Sequence, residues 1–197
     1  VMLAPCGSHM LAHPEGELAT ARGAGMSDTT MILSTPSNYT IEEVAEAASN
    51  PLWFQLYHRG KALTEMLVRR AEDAGFKAIV LTIDTPVPSP KERDLRNKFE
   101  RVLELGNFRD LNLPRNEISG TDETPGWDVS RADPITWNDV EWLRSLTSLP
   151  LVLKGIRVGE DAKLAVEHGC EGVLVSTHGG RQLDQTLSSI ETIPEVV

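Results

Sequence analysis

The sequence predicts a parallel α/β fold of the β/α-barrel type, with about six of a barrel's eight strand–helix units present. Short aliphatic and β-branched runs alternate with amphipathic helical patterns, which is typical of parallel sheets covered by helices. No GxGxxG motif follows the first run, and this disfavours an open, doubly wound sheet that binds dinucleotides. A complete eightfold barrel needs about 250 residues, so 197 residues accommodate about six units.

The predicted strands are buried runs, most of which end at a polar residue. They cover residues 1–4, 31–33, 52–57, 78–83, 151–153 and 172–175. The polar residues at the ends of the last five are Ser34, Gln55, Thr82, Lys154 and Ser176. Three of the four intervals between them, of 21, 27 and 22 positions, fit one strand–helix unit each. Because active sites of β/α barrels form at the carboxyl ends of the strands, we expect these side chains to meet at one mouth.

The predicted helices have recognisable starts and ends. Thr40 and Glu43 form a capping-box pattern at the start of one helix, and Gly75 ends the next in a left-handed conformation. Glu160 and Asp161 suit the positive start of another helix, which ends before Gly169. The inward-facing residues of the first two helices are Ile41, Val44, Ala45, Ala48, Leu63, Met66, Leu67, Ala71 and Ala74.

The fourth interval, of 72 residues, is too long for a single unit. It contains a helix signal at 136–146, so we assign the excess to an insertion at residues 85–135. Half of the twelve prolines and the polar stretch 115–133 lie there, which predicts a large, partly mobile loop over the strand ends. We therefore predict one partial barrel over residues 1–197, with this candidate active-site loop inside it.

Charge and cysteine content exclude several classes of protein. Nineteen basic against twenty-nine acidic residues give a formal net charge of -10, which disfavours nucleic acid and anionic membranes as partners. The sequence has no apolar run of roughly 20 residues and no signal-peptide pattern. Two cysteines, Cys6 and Cys170, are too few for a disulfide framework and lack metal-ligand spacing. We expect an intracellular protein without a metal site.

The residues around the predicted strand ends share a reactive chemistry. They are Ser34, Gln55, Tyr57, Thr82, Asp84, Lys91, Lys154, His178 and Arg181. A histidine, an acid, a tyrosine and several cations at one mouth suit proton abstraction from an anionic substrate. The competing interpretation is structural, since strand-end hydroxyls often bond nearby backbone and arginines often pair with surface acids such as Asp184.

Other conspicuous residues are interpreted as structural. His9, His58 and His168 lack a supporting motif, and His13 is assigned to a turn or helix entry. The segment GSHM at residues 7–10 is treated as native sequence because it leaves the register of the first unit intact. The tryptophans near the insertion are predicted to be core anchors: Trp127, Trp137 and Trp142.

Six sequence runs carry a specific resemblance. In chain order they are HPEGELATAR, LWFQLY, IVLTIDTP, ERDLRNKF, LVLKG and STHGGRQLD, and HGGRQLD within the last is the most specific. Together they resemble the FMN-dependent α-hydroxy acid oxidases and dehydrogenases, which include glycolate and lactate oxidases. The resemblance implies FMN as cofactor, a small (S)-2-hydroxy acid oxidised to a 2-oxo acid, and oxygen or another electron acceptor as partner. The cytoplasm and the peroxisome become the candidate locations.

The resemblance also implies roles for individual residues. His178 corresponds to the base that takes a proton from the substrate, Asp84 to the carboxylate that orients the imidazole, and Tyr57 to a hydrogen-bond partner of the substrate oxygen. Arg181 corresponds to a bidentate clamp on the substrate carboxylate. Lys154 would place positive charge near N1 and O2 of the flavin. The other implied flavin contacts are Ser34, Gln55, Thr82 and the backbone of Pro5, Cys6 and Gly7.

Three departures from the family pattern leave alternatives open. Lys91 stands where the family has a second carboxylate-binding arginine, which keeps the charge but loses the bidentate fork. The sequence also lacks the loops after strands seven and eight that bind the FMN phosphate in the family, and an upstream substrate-binding tyrosine. We favour part of a longer oxidoreductase over a naturally minimal enzyme. The competing hypothesis is a catalytically incompetent partial barrel that acts as a scaffold or assembly partner and whose exposed edges favour homo-oligomers.

Overall fold

The computed structural model describes residues 1–86, 89, 91–99, 104–109, 119–121, 124–127, 135–183 and 185–197, with backbone alone at 119–121 and 124–127. Within these residues, six parallel strands form one sheet in chain order. They are β1 (Met2–Leu3), β2 (Thr30–Ser34), β3 (Leu52–Leu56), β4 (Ile79–Thr82), β7 (Leu151–Ile156) and β8 (Gly172–Val175). An antiparallel hairpin of β5 (Ser119–Thr121) and β6 (Thr124–Trp127) lies between β4 and β7 in sequence.

One or more helices follow each strand of the sheet. They are α1 (Gly16–Met26), α2 (Ile41–Ala47), α3 (Lys61–Asp73), α4 (Glu92–Asn97), α5 (Trp137–Leu146), α6 (Gly159–Glu167) and α7 (Ser189–Val196). In the part of the chain that the structure describes, none of these helices is both long enough and apolar enough to cross a bilayer.

Two separate apolar clusters lie on the two faces of the sheet. The outer cluster joins strand residues such as Leu33 and Phe54 to helix residues such as Leu67. The inner cluster, among the described residues, contains strand residues alone: Ile32, Val80 and Val152, with Trp53 and Leu174 packed against them. Helices therefore cover one face of a sheet whose strand order never reverses. This is the arrangement of a β/α barrel, whereas a doubly wound sheet has helices on both faces and a reversal of strand order.

The predicted helix signals are confirmed where their geometry can be compared. The Thr40 side chain accepts a hydrogen bond from the Glu43 N–H at 3.1 Å, and Glu43 accepts one from the Thr40 N–H at 2.7 Å. Gly75 has φ 82° and Gly169 has φ 77°, which are left-handed conformations that glycine adopts without steric cost. Thr136 is the N-cap of α5.

Several predicted bounds are wrong. The first strand covers two residues and not 1–4, because as an edge strand it pairs with β2 alone at Met2 and Leu3. The seventh strand continues past the predicted end at Leu153 to Ile156 through a register shift that leaves Gly155 unpaired.

The segment 85–135 includes regular elements among its described residues. It contains α4, a 3-10 turn at Gly106–Phe108 and the β5–β6 hairpin. Most of the polar stretch 115–133, the side chain of Trp127 and the acid Asp184 lie outside the described residues. Trp137 and Trp142 pack against the outer cluster, as predicted.

Candidate active site

Polar side chains form a layer directly beyond the inner apolar cluster. Successive side chains of a strand point to opposite faces, so the residues two positions beyond the inner cluster share its face. These are Ser34, Gln55, Thr82, Lys154 and Ser176, and all five are buried. They line a cavity of about 470 Å³ at the carboxyl ends of the strands. The barrel interior therefore changes from apolar to polar at the predicted mouth.

Gln55 links three strand ends. Its Oε1 accepts a hydrogen bond from the Ser34 hydroxyl at 2.8 Å, and its Nε2 donates one to Thr82 Oγ1 at 2.8 Å. The backbone N–H of Thr35 also donates to Oε1, at 3.3 Å. The side-chain amide is thus held in one orientation across β2, β3 and β4, with hydroxyl groups on both sides.

His178 lies at the cavity with both ring nitrogens engaged. Its Nδ1 is 3.0 Å from Asp84 Oδ1, and its Nε2 is 3.3 Å from the Tyr57 hydroxyl. Of the two neutral tautomers, the one with its proton on Nδ1 can donate to the Asp84 carboxylate, and it leaves the Nε2 lone pair on the side of the Tyr57 hydroxyl. The ring therefore lies between a carboxylate and a phenol hydroxyl at the cavity.

The backbone at His178 adopts an unusual conformation that aims this ring. Three consecutive residues, His178, Gly179 and Gly180, have φ angles of 55°, 67° and 69°. Glycine adopts such angles freely, but a histidine there is strained. The His178 N–H donates to Ser176 Oγ at 3.0 Å, which helps to hold the turn. Strain of this kind is concentrated at functional sites, and the paired glycines of HGGRQLD are what the turn requires.

Lys154 places a buried cation beside the same histidine. Its Nζ lies 3.3 Å from His178 Nδ1 and 3.8 Å from Asp84 Oδ2, and its side chain is 7% exposed. Burial lowers the pKa of Lys154 below its ordinary value, and the nearby Asp84 carboxylate opposes that shift. A buried lysine, a carboxylate and an imidazole therefore lie within about 4 Å of one another at the cavity.

Gly155 makes room for Asp84. A side chain at Gly155 would meet Asp84 Cβ at 2.6 Å, and the glycine has φ 109°. The register shift of β7 occurs here, so the bulge that follows Lys154 also lets Asp84 approach the strand. The sequence predicted that the strand ends at Lys154. Instead, Lys154 lies just before an irregularity that shapes the site.

Arg181 and Lys91 bring two further cations to the cavity wall. Arg181 is half exposed, and its Nη2 lies 3.5 Å from Asp94 Oδ2 on α4. The segment that carries Lys91 and α4 therefore closes over the mouth beside Arg181. Pro5, Cys6 and Gly7 line the opposite part of the cavity, after β1. All the predicted site residues except Asp84 line this cavity, and Asp84 lies behind His178.

Two positioning residues were missed from the sequence. Thr35 donates its hydroxyl to the Gln55 carbonyl at 2.6 Å and accepts the Tyr57 N–H at 3.2 Å. Asn107 is fully buried and donates from Nδ2 to the Thr35 carbonyl at 2.9 Å. Thr35 follows Ser34 directly, so strand-end reasoning could have found it. Asn107 has no periodic signal because it belongs to the long interval between β4 and β7.

His58 and His168, which were interpreted as structural, both pack against neighbouring side chains. His58 Nδ1 is 3.2 Å from Thr64 Oγ1, and the ring packs edge-on against Trp142. His168 stacks on Trp137 and lies 2.8 Å from Glu141. Within the described residues, no group of three or more His, Cys, Asp or Glu side chains could hold a metal ion.

Comparison with known proteins places this site in a family. Residues 1–197 match the family model described as FMN-dependent dehydrogenase. The chain belongs to this family. Its relatives include L-lactate oxidase of Nostoc sp., 45% identical over 208 residues, and glycolate oxidase of Spinacia oleracea, 42% identical over 201 residues. Both alignments cover 100% of this chain, with 56% and 54% of the relatives.

Solved structures confirm the predicted fold class of the chain. Mandelate oxidase aligns with a TM-score of 0.86 and 42% identity, over 100% of this chain and 54% of that one. A mandelate oxidase variant with a C4a-OH-FMN adduct aligns with a TM-score of 0.84 and 39% identity, over 99% and 53%. The chain spans about half the length of the relatives it matches.

The cavity of this chain fits the ring of the family's cofactor. Its volume of about 470 Å³ lies in the range typical of small-molecule sites. The isoalloxazine ring presents alternating N–H and C=O groups along one edge, which need donors as well as acceptors. The chain Ser34–Gln55–Thr82 offers both, and Lys154 adds a cation for negative charge on the ring.

Proposed function

We propose that this chain forms the substrate-oxidising part of an FMN-dependent oxidoreductase that converts a small (S)-2-hydroxy acid to a 2-oxo acid. The single observation that carries the proposal is the position of the His178 ring between Asp84 and Tyr57. Its Nδ1 faces Asp84 Oδ1 at 3.0 Å, and its Nε2 faces the Tyr57 hydroxyl at the wall of a cation-lined cavity. The relatives named for lactate, glycolate and mandelate oxidation agree with this chemistry.

The cations at the mouth would bind the substrate carboxylate. Arg181 can clamp two carboxylate oxygens with its planar guanidinium, and Lys91 adds a single point charge. Because Asp94 already pairs with Arg181, the substrate carboxylate would take the place of the Asp94 carboxylate. The substrate would then have its 2-hydroxyl and C2 hydrogen directed at Tyr57 and His178.

Proton transfer would occur at His178. Tyr57 would hold the substrate oxygen by a hydrogen bond, and His178 Nε2 would accept the substrate proton. Asp84 would stabilise the imidazolium that results, as a carboxylate beside Nδ1 does. FMN, when bound, supplies the two-electron acceptor for this oxidation, and oxygen or another acceptor takes the electrons afterwards. Lys154 would keep positive charge next to the ring.

Flavin spectroscopy tests the proposal. The purified protein should carry a flavin absorbance that bleaches anaerobically on addition of glycolate, lactate or mandelate. His178→Gln should retain the flavin absorbance and lose the bleaching, because the base is gone while the flavin contacts remain. His168→Gln, whose ring lies outside the cavity, is the matched control and should bleach as the unmodified protein does. Absence of flavin binding, or bleaching by His178→Gln, would contradict the proposal.

The scaffold hypothesis keeps one specific observation in its favour. The edge strand β1 pairs with one neighbour, and its residues Met2 and Leu3 are exposed apolar side chains. Exposed edges and apolar patches favour association. Sedimentation separates the two hypotheses: a stable oligomer that binds no flavin supports the scaffold, whereas a flavin-binding species supports the enzyme.

A further inference from the structure

A carboxylate and an ammonium group compete for one nitrogen of the His178 ring. Nδ1 lies 3.0 Å from Asp84 Oδ1 and 3.3 Å from Lys154 Nζ. In a neutral imidazole this nitrogen carries either a proton or a lone pair. It can therefore donate a hydrogen bond to Asp84 or accept one from Lys154, but it cannot do both at once.

The partner of Nδ1 decides what the ring presents at Nε2. Nε2 lies 3.3 Å from the Tyr57 hydroxyl at the wall of the cavity. If Nδ1 donates to Asp84, Nε2 keeps its lone pair and can accept a proton on this side. If Nδ1 accepts from Lys154, the single ring proton is on Nε2, which then donates to the Tyr57 oxygen. Only the first tautomer can act as a base toward the cavity.

The contacts of Lys154 provide a second position for its ammonium group. Nζ is 3.8 Å from Asp84 Oδ2, which is too long for a hydrogen bond. Within the described residues, this buried oxygen makes no hydrogen bond, which is costly for a carboxylate. A short movement of Nζ from Nδ1 toward Oδ2 would let Asp84 accept from Lys154 and from the ring together. Lys154 also lines the cavity, so a ligand there can attract it.

We propose that Lys154 is a positioning residue that selects the tautomer of His178. With the ammonium on Nδ1, the ring has its proton on Nε2 and cannot act as a base. With the ammonium drawn away, Nδ1 donates to Asp84 and Nε2 is free to accept. The ring gives one proton to solvent and takes one up at the other nitrogen, so its charge is unchanged. The acceptor groups of the FMN ring draw Lys154 away, a step that rests on the proposed function, and the base forms as the cofactor binds.

Nitrogen NMR of the histidine rings tests this selection. The protein is prepared free of FMN with ¹⁵N-labelled histidine, at a pH high enough for the ring to be neutral, and the signals lost in His178→Gln assign the ring. Both tautomers should contribute to the ring-nitrogen shifts of the unmodified protein. In Lys154→Met the population with the proton on Nε2 should fall several-fold, because Asp84 remains as the partner of Nδ1. An unchanged population would overturn the proposal.

Asp84→Asn tests the same competition from the other side. Loss of the carboxylate charge should raise the population with the proton on Nε2, because Lys154 becomes the stronger partner of Nδ1. This variant keeps the test decisive if Lys154→Met does not fold. A population that falls or stays unchanged in folded Asp84→Asn protein would refute the competition.

Two controls separate this effect from a general change in the fold. Lys77→Met removes the same charge at an exposed position and should leave the His178 signals unchanged. His168 is an internal reference, because its Nδ1 also faces a carboxylate, Glu141 Oε1 at 2.8 Å, and its signals should stay in place in every variant. Equal shifts at His168 and His178 would count against selection by Lys154.

Addition of FMN separates this inference from the proposed function. Equilibrium dialysis measures binding, and the His178 signals report the tautomer in the same sample. Bound FMN should move the unmodified protein toward the tautomer with its proton on Nδ1 and leave Lys154→Met unchanged. Bound FMN with an unchanged tautomer would overturn the cofactor step. Failure to bind FMN would contradict the proposed function and the cofactor step with it, whereas the response to Lys154→Met would still decide the role of Lys154.

Discussion

Asp84 Oδ1 lies 3.0 Å from His178 Nδ1, although 94 positions separate the two residues. The sheet order explains this proximity: Asp84 follows β4 and His178 follows β8, and β7 alone lies between these strands. Lys154 comes from β7 and reaches both partners. Three neighbouring parallel strands thus each contribute one charged or titratable group, and their common direction brings all three to one end.

Removal of the Asp84 charge should disable the base without removing the flavin. In an active protein, Asp84→Asn is expected to lower kcat by roughly 10²–10⁴-fold, because the amide can no longer stabilise the imidazolium or fix the proton on Nδ1. Flavin absorbance should persist. Asp73→Asn, at an exposed position on α3, is the matched control and should retain activity. Steady-state kinetics of the two variants measure this loss of kcat. Full activity of Asp84→Asn would exclude an orienting role for Asp84.

Gly155 is predicted to be intolerant of a side chain. Gly155→Ala should destabilise the fold by about 1–3 kcal/mol, since the methyl group would meet Asp84 and the backbone has a strongly positive φ. Gly23→Ala makes the same chemical change in α1 with nothing within 4 Å of the new carbon, and should stabilise by about 0.5–1 kcal/mol. Urea denaturation measures both. Equal effects would show that the contact with Asp84 is unimportant.

Asn107 is predicted to be the main anchor of the segment 104–109. Its side chain donates to the Thr35 carbonyl and Ser37 Oγ and accepts the Ile41 N–H, at 2.9, 3.0 and 2.9 Å. Asn107→Ala would leave the buried Thr35 carbonyl and Ile41 N–H without this partner and should cost about 2–4 kcal/mol. Asn50→Ala, at a partly exposed asparagine, should cost less than about 1 kcal/mol. Denaturation midpoints of the two variants test this difference.

The sequence predicted the inner layer better than the long interval, for a physical reason. Ser34, Gln55 and Thr82 could be placed because strand runs have a local pattern and parallel strands end together. The contact between Asp84 and His178 has no local signal and was implied by resemblance alone. Asn107 and Asp94 were missed because their contacts depend on how a non-periodic segment folds back over the strand ends. The strained turn at His178 was likewise invisible, apart from its two glycines.

The buried charge of Lys154 should appear in the pH dependence of stability. Burial lowers its pKa in the folded state below the ordinary 10.5, so the unfolded chain binds more protons between the two pKa values. The contribution of Lys154 to stability is therefore unfavourable below this window and improves as pH rises through it. The unmodified protein should therefore gain unfolding free energy relative to Lys154→Met as pH rises toward 10.5. Urea denaturation across alkaline pH measures it, with the exposed Lys77→Met as control. If the unmodified protein instead loses unfolding free energy relative to Lys154→Met as pH rises, the burial argument is contradicted.

Arg181 and Asp94 should affect substrate binding in opposite directions. Arg181→Met removes the bidentate partner of the substrate carboxylate, and a charge-assisted hydrogen bond is worth about 1.5–3 kcal/mol, so KM should rise by roughly 10- to 100-fold with a smaller effect on kcat. Asp94 lies 3.5 Å from the same guanidinium and competes for it, so Asp94→Asn should lower KM by a few-fold. The partner positions are partly exposed, and high salt should reduce both effects. Steady-state kinetics at two ionic strengths would test the pair, and a raised KM in Asp94→Asn would mean that Asp94 positions Arg181 for the substrate rather than competing with it.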